Sequence, residues 1–97
     1  MDEAQCNTAV FEEWVNRNLL RRWRDEKGFS LRMVAAELGV TFATVNHWER
    51  GRKVPRPSSF ALIAALMGVP IEDLAGEWHR WLQDRPETGD QNGSTGE

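Results

Sequence analysis

The chain has one cysteine, Cys6, in 97 residues. No disulfide can form within it, and a reducing compartment suits it. Long apolar runs are missing too. The longest, Phe60 to Ile71, is broken by Gly68 and Pro70 and falls short of the ~20 residues a bilayer-crossing helix needs. The N-terminus lacks the basic-then-apolar pattern of a secretory signal, so a cytoplasmic chain with no membrane partner is expected. There is no Ser-His-Asp or Cys-His constellation and no Gly-rich phosphate loop. The two histidines, His47 and His79, have no cysteine or carboxylate cluster beside them to complete a metal site. No enzyme, metal or cofactor is expected. Positive charge is also short, with a net charge of −3, which at first sight argues against a polyanionic partner.

The placement of the charges points the other way. Hydrophobic residues at 40% and charged residues at 28% suit one soluble domain with a modest core. The charges are segregated. Residues 1–16 carry −4, residues 17–58 carry +6 and residues 59–97 carry −5. Local potential, not the total, governs encounter with a polyanion. A merely uneven surface would give the same tally, so charge alone does not decide.

Helical periodicity runs through most of the chain and no strand stands out. Asn7 or Thr8 is expected to cap a first helix whose apolar positions recur at Val10, Phe11, Trp14, Val15, Leu19, Leu20 and Trp23. Gly28 supplies its stop, and whether residues 8–27 form one helix or two stays open. Ser30 is an N-cap for a second, short helix burying Val34, Ala35 and Leu38 and ending at Gly39. Thr41 caps a third, with Val45 and Trp48 facing inward and Gly51 closing it. Two short helices joined by a tight Gly-containing turn are the mark of a helix-turn-helix. Beyond Pro55 and Pro57, Ser58 or Ser59 caps a fourth helix, FALIAALMG, apolar nearly all round and so expected at the centre of the core. Pro70 opens a fifth, with Glu72 and Asp73 near its positive end and one stripe of Ile71, Leu74, Trp78, Trp81 and Leu82. From Asp84 onward the polar, Gly-rich DRPETGDQNGSTGE is expected to be disordered.

These residues resemble a known family. LRRWRDEKGFS, AAELGV, TVNHWERG, the following Pro55 and ALMGVPIEDL, in that order and spacing, resemble the DNA-binding domain of phage repressors and Cro-like regulators, the XRE family. The likeness covers about residues 19–75. It implies an all-α, five-helix repressor-like bundle containing the helix-turn-helix, here with an extended N-terminal helix region. Residues 1–84 would form the domain and 85–97 a disordered tail. It also implies a core of Leu20, Trp23, Val34, Ala35, Leu38, Val45, Trp48, Leu62, Ile63 and Leu66, and an ion pair between Arg24 and Glu49. Thr41 to Arg50 would be the recognition helix, with Phe42, Ala43, Asn46 and His47 at positions that face base edges. Two places depart from the pattern. Leu31 stands where many members have a backbone-contacting Gln, and Phe42 and Ala43 are apolar where Gln, Arg or Ser is common.

The chemistry of these residues suits the implied partner, double-stranded DNA. The major groove admits one helix; Asn46 can pair with an adenine edge, Phe42 and Ala43 can pack on thymine methyls, and His47 can donate to guanine N7 or to phosphate. The bland alternatives are a Phe42 folded back on the core and a merely solvated Asn46. Arg50, Arg52, Lys53 and Arg56 suit phosphate contacts, and Ser30, Thr41 and Thr44 can add hydroxyl bonds. Arg21, Arg22 and Arg32 read as a solvated face. Cys6 reads as a bystander. Trp78, Trp81 and Leu82 either pack back on the core, against Trp14 or Phe11, or form a dimer interface, where Trp is enriched. A homodimer is the expected state. The reading is a repressor bound to an inverted-repeat operator. The competing reading is an antitoxin-like module that holds a small protein partner and regulates itself through DNA.

Overall fold

The computed structural model describes residues 2–86, with side chains from Ala9 onward. Among these residues there are six helices and no strand: α1 (Asp2–Asn16), α2 (Leu19–Lys27), α3 (Leu31–Leu38), α4 (Phe42–Glu49), α5 (Pro57–Met67) and α6 (Ile71–Gln83). The fold is all-helical, as the periodicity implies. No single helix among the described residues is long and apolar enough to cross a membrane. The Cys6 side chain and residues 87–97, which include most of the expected tail, lie outside what is described.

The segment 8–27 is two helices. Asn18 breaks it: its backbone is extended (φ −60°, ψ 136°) and its side-chain Oδ1 accepts the Arg21 N–H, which caps α2. Asn7 and Thr8 are not at a helix start, because α1 already runs from Asp2. The other expected caps of the helix-turn-helix hold. The Ser30 hydroxyl accepts from Met33 N–H and the Thr41 hydroxyl from Thr44 N–H. Gly28 and Gly39 end α2 and α3 in the left-handed conformation. At α5 the expectation of a Ser cap fails. Pro57 occupies the first helical turn and Arg56 sits at the N-cap with no side-chain bond, because proline's fixed φ suits that position and it has no N–H to lose.

The core is Phe11, Trp14, Val15, Leu20, Val34, Ala35, Leu38, Val45, Trp48, Phe60, Ile63, Ala64, Leu74, Trp78 and Trp81. Two expectations need correction. Leu62 is not core; it is 53% exposed. Nor is α5 enclosed on all sides. It packs on α2, α3 and α6, buries Phe60, Ile63 and Ala64, and leaves Ala61, Leu62 and Ala65 exposed. Small alanines make that outer face tolerable. Trp23 and Leu66 are only partly buried against the core.

Of the two expectations for Trp78, Trp81 and Leu82, packing back on the core, with Trp14 as a partner, holds, and their use as a dimer interface needs correction. Trp78 is fully buried, Trp81 is 6% exposed and Leu82 packs against the same core. Phe60 of α5 packs edge-on against Trp78, and α1 covers Trp81. The Trp14 and Trp81 rings stack with centroids 4.0 Å apart and planes 1° from parallel. The N-terminal helix thus supplies the interior that a five-helix domain lacks, and the tryptophans have no face left for a second copy.

Candidate nucleic-acid interface

The turn between α3 and α4 consists of Gly39, Val40 and Thr41. Val40 is half-buried against the core and Thr41 caps α4, so the two helices meet at a fixed angle with little slack. Val45 and Trp48 anchor the inner face of α4. Its outer face is decided by what remains. Phe42 is 46% exposed, Ala43 is exposed, and Thr44, Asn46 and His47 are half-exposed. Phe42 is therefore not folded back on the core. Its ring instead carries the Arg32 guanidinium, 4.8 Å from the centroid. Arg32 is thus exposed, as a solvated face implies, and also stacks its charge on the aromatic side chain at the tip of α4. The Thr41 and Thr44 hydroxyls lie 2.9 Å apart, so the two share one local network at the start of the helix.

Buried charge fixes the other end of α4. Glu49 is fully buried. Arg24 Nε donates to its Oε2 and Arg24 Nη2 to its Oε1, both at 2.9 Å. This two-pronged geometry is the strong form of an arginine–carboxylate pair. Arg24 Nη1 also donates to the Phe29 carbonyl at 3.1 Å, so one side chain ties the end of α2 to the end of α4. The hydrogen bonds that Arg24 donates to the Glu49 carboxylate raise the Arg24 pKa above its ordinary value, against the opposing effect of burial. Arg21 stands 3.9 Å from the same carboxylate and donates from Nε to Asn16 Oδ1 at 3.0 Å. It belongs to this network rather than to a solvated face.

The cations beyond α4 divide into two sorts. Arg52, Lys53 and Arg56 are exposed and pair with no carboxylate among the described residues. Arg50 is different: its Nη2 lies 3.3 Å from Glu12 Oε2 on α1, and its guanidinium lies 5.4 Å from the Phe11 centroid. Ser30 is exposed at the start of α3. Leu31, in the place of the common Gln, is half-buried against the core and contributes apolar packing in place of a polar contact.

The loop after α4 is held from behind. Gly51 is buried, with φ 75°, and a Cβ there would collide with the Trp14 ring. Its carbonyl accepts from Arg85 Nη1 at 3.3 Å, and the Arg85 guanidinium lies 5.6 Å from the Trp14 centroid. Arg85 falls within the tail that composition marks as disordered, yet it is tied to this loop. Glu12, Trp14 and Arg85 are thus part of the site's support, and the sequence pattern does not single them out for it. Their partners are 34 or more residues away along the chain, where no periodicity reaches. Only the Asn18 break has a local signal, an Asn N-cap before Leu19 and Leu20.

Among the described residues no group of His, Cys, Asp or Glu is arranged to hold a metal ion. No curated protein and no solved structure matches the chain. A family model described as helix-turn-helix matches residues 20–74, more than half of the chain. That match runs from α2 to the first turn of α6, the stretch that builds the turn and its outward face, and the chain belongs to the Cro/C1-type (XRE) helix-turn-helix family of DNA-binding transcription regulators.

Proposed function

We propose that the protein is a repressor that recognises an inverted-repeat operator as a homodimer, with α4 as the recognition helix. The observation that carries this reading is the make-up of α4. Its back is anchored by Val45, Trp48 and the Arg24–Glu49 pair, and its front presents Phe42, Ala43, Asn46 and His47. A rigid helix with exposed side chains near its N-terminus is what major-groove reading requires. Asn46 pairs with an adenine edge, Phe42 and Ala43 pack on thymine methyls, and His47 donates to a guanine or a phosphate. Arg50, Arg52, Lys53 and Arg56, with Ser30, Thr41 and Thr44, hold the phosphate backbone and set the register. Repression follows from occupying a promoter, in the cytoplasm.

The dimer needs a surface other than the buried tryptophans. Val54 and Ile71 are 49% and 38% exposed. They border a shallow apolar cavity of about 300 Å³ lined also by Pro55, Pro57, Phe60 and His79. A second copy meeting this patch about a twofold axis covers the apolar rim. The patch adjoins the basic loop, since Val54 and Pro55 follow directly on Arg52 and Lys53. Residues 1–84 act as one folded unit in this reading, because α1 and α6 are joined through Trp14 and Trp81.

Selection of bound fragments from a random double-stranded pool near physiological salt tests the proposal. Enrichment of a twofold-symmetric site with half-sites about one helical turn apart supports it. Enrichment of an asymmetric site removes the dimer, and salt-sensitive binding with no enrichment removes the sequence reader.

A further inference from the structure

Helix α1 lies outside the matched segment 20–74, yet it meets Arg50 and Gly51, just beyond the end of α4. Its position is not soft. The Trp14 indole N–H donates to the Trp81 carbonyl and the Trp81 indole N–H donates to the Trp14 carbonyl, each at 2.6 Å. Trp14 is fully buried and Phe11 nearly so. Glu12 stands between these two anchors on the exposed side of the helix, 49% exposed, and its carboxylate reaches Arg50 at 3.3 Å. Arg50 caps the C-terminus of α4, on the side where Arg52, Lys53 and Arg56 follow. The chain thus offers Arg50 a carboxylate of its own where a duplex would offer a phosphate.

We propose that Glu12 is an internal competitor for Arg50, and that DNA binding requires a backbone phosphate to displace it. The proposal rests on the reading of Arg50 as a phosphate contact. The geometry favours displacement. The Glu12–Arg50 pair is a single surface contact between an exposed carboxylate and a half-exposed guanidinium, made by one of its five donors, and such pairs are weak and screened by salt. A phosphate can take two parallel donors of the fork. The Phe11 ring beneath the guanidinium holds it near the helix end in either state. Every phosphate that Arg50 takes must break the Glu12–Arg50 contact, and that cost disappears when Arg50 is removed. Glu12 therefore lowers affinity by the same amount for every sequence, and it sets how tightly the regulator holds non-specific DNA.

A double-mutant cycle on binding to a random-sequence duplex at low salt tests this. Glu12→Gln is expected to tighten binding about two- to fivefold, the range of an exposed ion pair. Arg50→Gln is expected to weaken binding. In the Arg50→Gln background, Glu12→Gln is expected to change nothing, and Glu13→Gln, at the exposed neighbouring carboxylate, is expected to have a smaller effect in either background. Glu12 and Glu13 are exposed and Arg50 is half-exposed, so thermal unfolding should show folded variants. Unchanged or weaker binding by Glu12→Gln overturns the proposal. So does an equal gain with and without Arg50, which would mark general charge repulsion. Wild-type protein that fails to bind any duplex at low salt would overturn the DNA-reading function itself, and the competitor with it; binding with a failed cycle overturns the competitor alone.

Discussion

Trp14 and Trp81 hold each other by a reciprocal pair of hydrogen bonds, each indole N–H donating to the other residue's backbone carbonyl at 2.6 Å across parallel rings. Both rings are buried, so the pair combines apolar burial with two satisfied polar groups that would otherwise be costly to enclose. Replacing Trp14 with Ala should cost about 3–5 kcal/mol of stability. Trp14→Phe should cost less, because it keeps an aromatic ring buried against Trp81, whereas both variants lose the Trp14 indole donor and keep the backbone carbonyl that the Trp81 indole uses. Urea unfolding followed by far-UV circular dichroism measures both. A loss under about 1 kcal/mol for Trp14→Ala would mean that α1 is not docked as described.

The Arg24–Glu49 pair should fail asymmetrically. Glu49 is fully buried and Arg24 nearly so, with side-chain exposures of 0% and 11%. Removing one partner leaves the other charge buried and uncompensated, so Glu49→Ala should destabilise by about 3–5 kcal/mol. Replacing both with apolar residues of similar volume should cost much less than the single change. Equilibrium denaturation of the single and paired variants checks this, and equal losses would contradict it.

Gly51 and Gly28 share a left-handed backbone, with φ of 75° and 74°. They differ in surroundings: a Cβ at Gly28 meets nothing within 4 Å, while one at Gly51 meets the Trp14 ring. Gly28→Ala should therefore cost only the backbone conformation, about 1–2 kcal/mol. Gly51→Ala should cost more, and the excess measures how firmly Trp14 buttresses the loop. Equal melting-temperature shifts in the two variants would show that the ring gives way freely.

Arg52 faces solvent just beyond the end of α4. If it holds a phosphate, Arg52→Ala should weaken binding to all duplexes alike and reduce the slope of log affinity against log salt by about 0.9. Binding isotherms across a salt series give that slope. A loss confined to one sequence would move Arg52 into the base-reading set.

Much of the fold is legible in the sequence because it is local. Ser30, Thr41 and Gly39 act within one turn of their own residue, so caps, stops and the helix-turn-helix spacing can be read directly. The inward positions of α3 and α4 follow from period alone. The corrections fall where partners are distant. Leu62 lies in an apolar run, but three helices pack on one side of α5 and leave the other bare, and no periodicity in α5 shows which side that is. Trp78 and Trp81 look surplus to a small core only while α1 is not counted as part of it. Glu12, Trp14 and Arg85 gain roles only through contacts that close the chain on itself.

Base reading by α4 is the central claim, and Asn46 tests it most directly. Affinities of wild type and Asn46→Ala should be measured against the selected operator and against duplexes changed one base pair at a time. Asn46→Ala is predicted to lose about 1–3 kcal/mol on the operator and to become indifferent to the base at one position, with preferences elsewhere intact. A uniform loss across all duplexes, random sequence included, would contradict it and leave Asn46 a backbone contact.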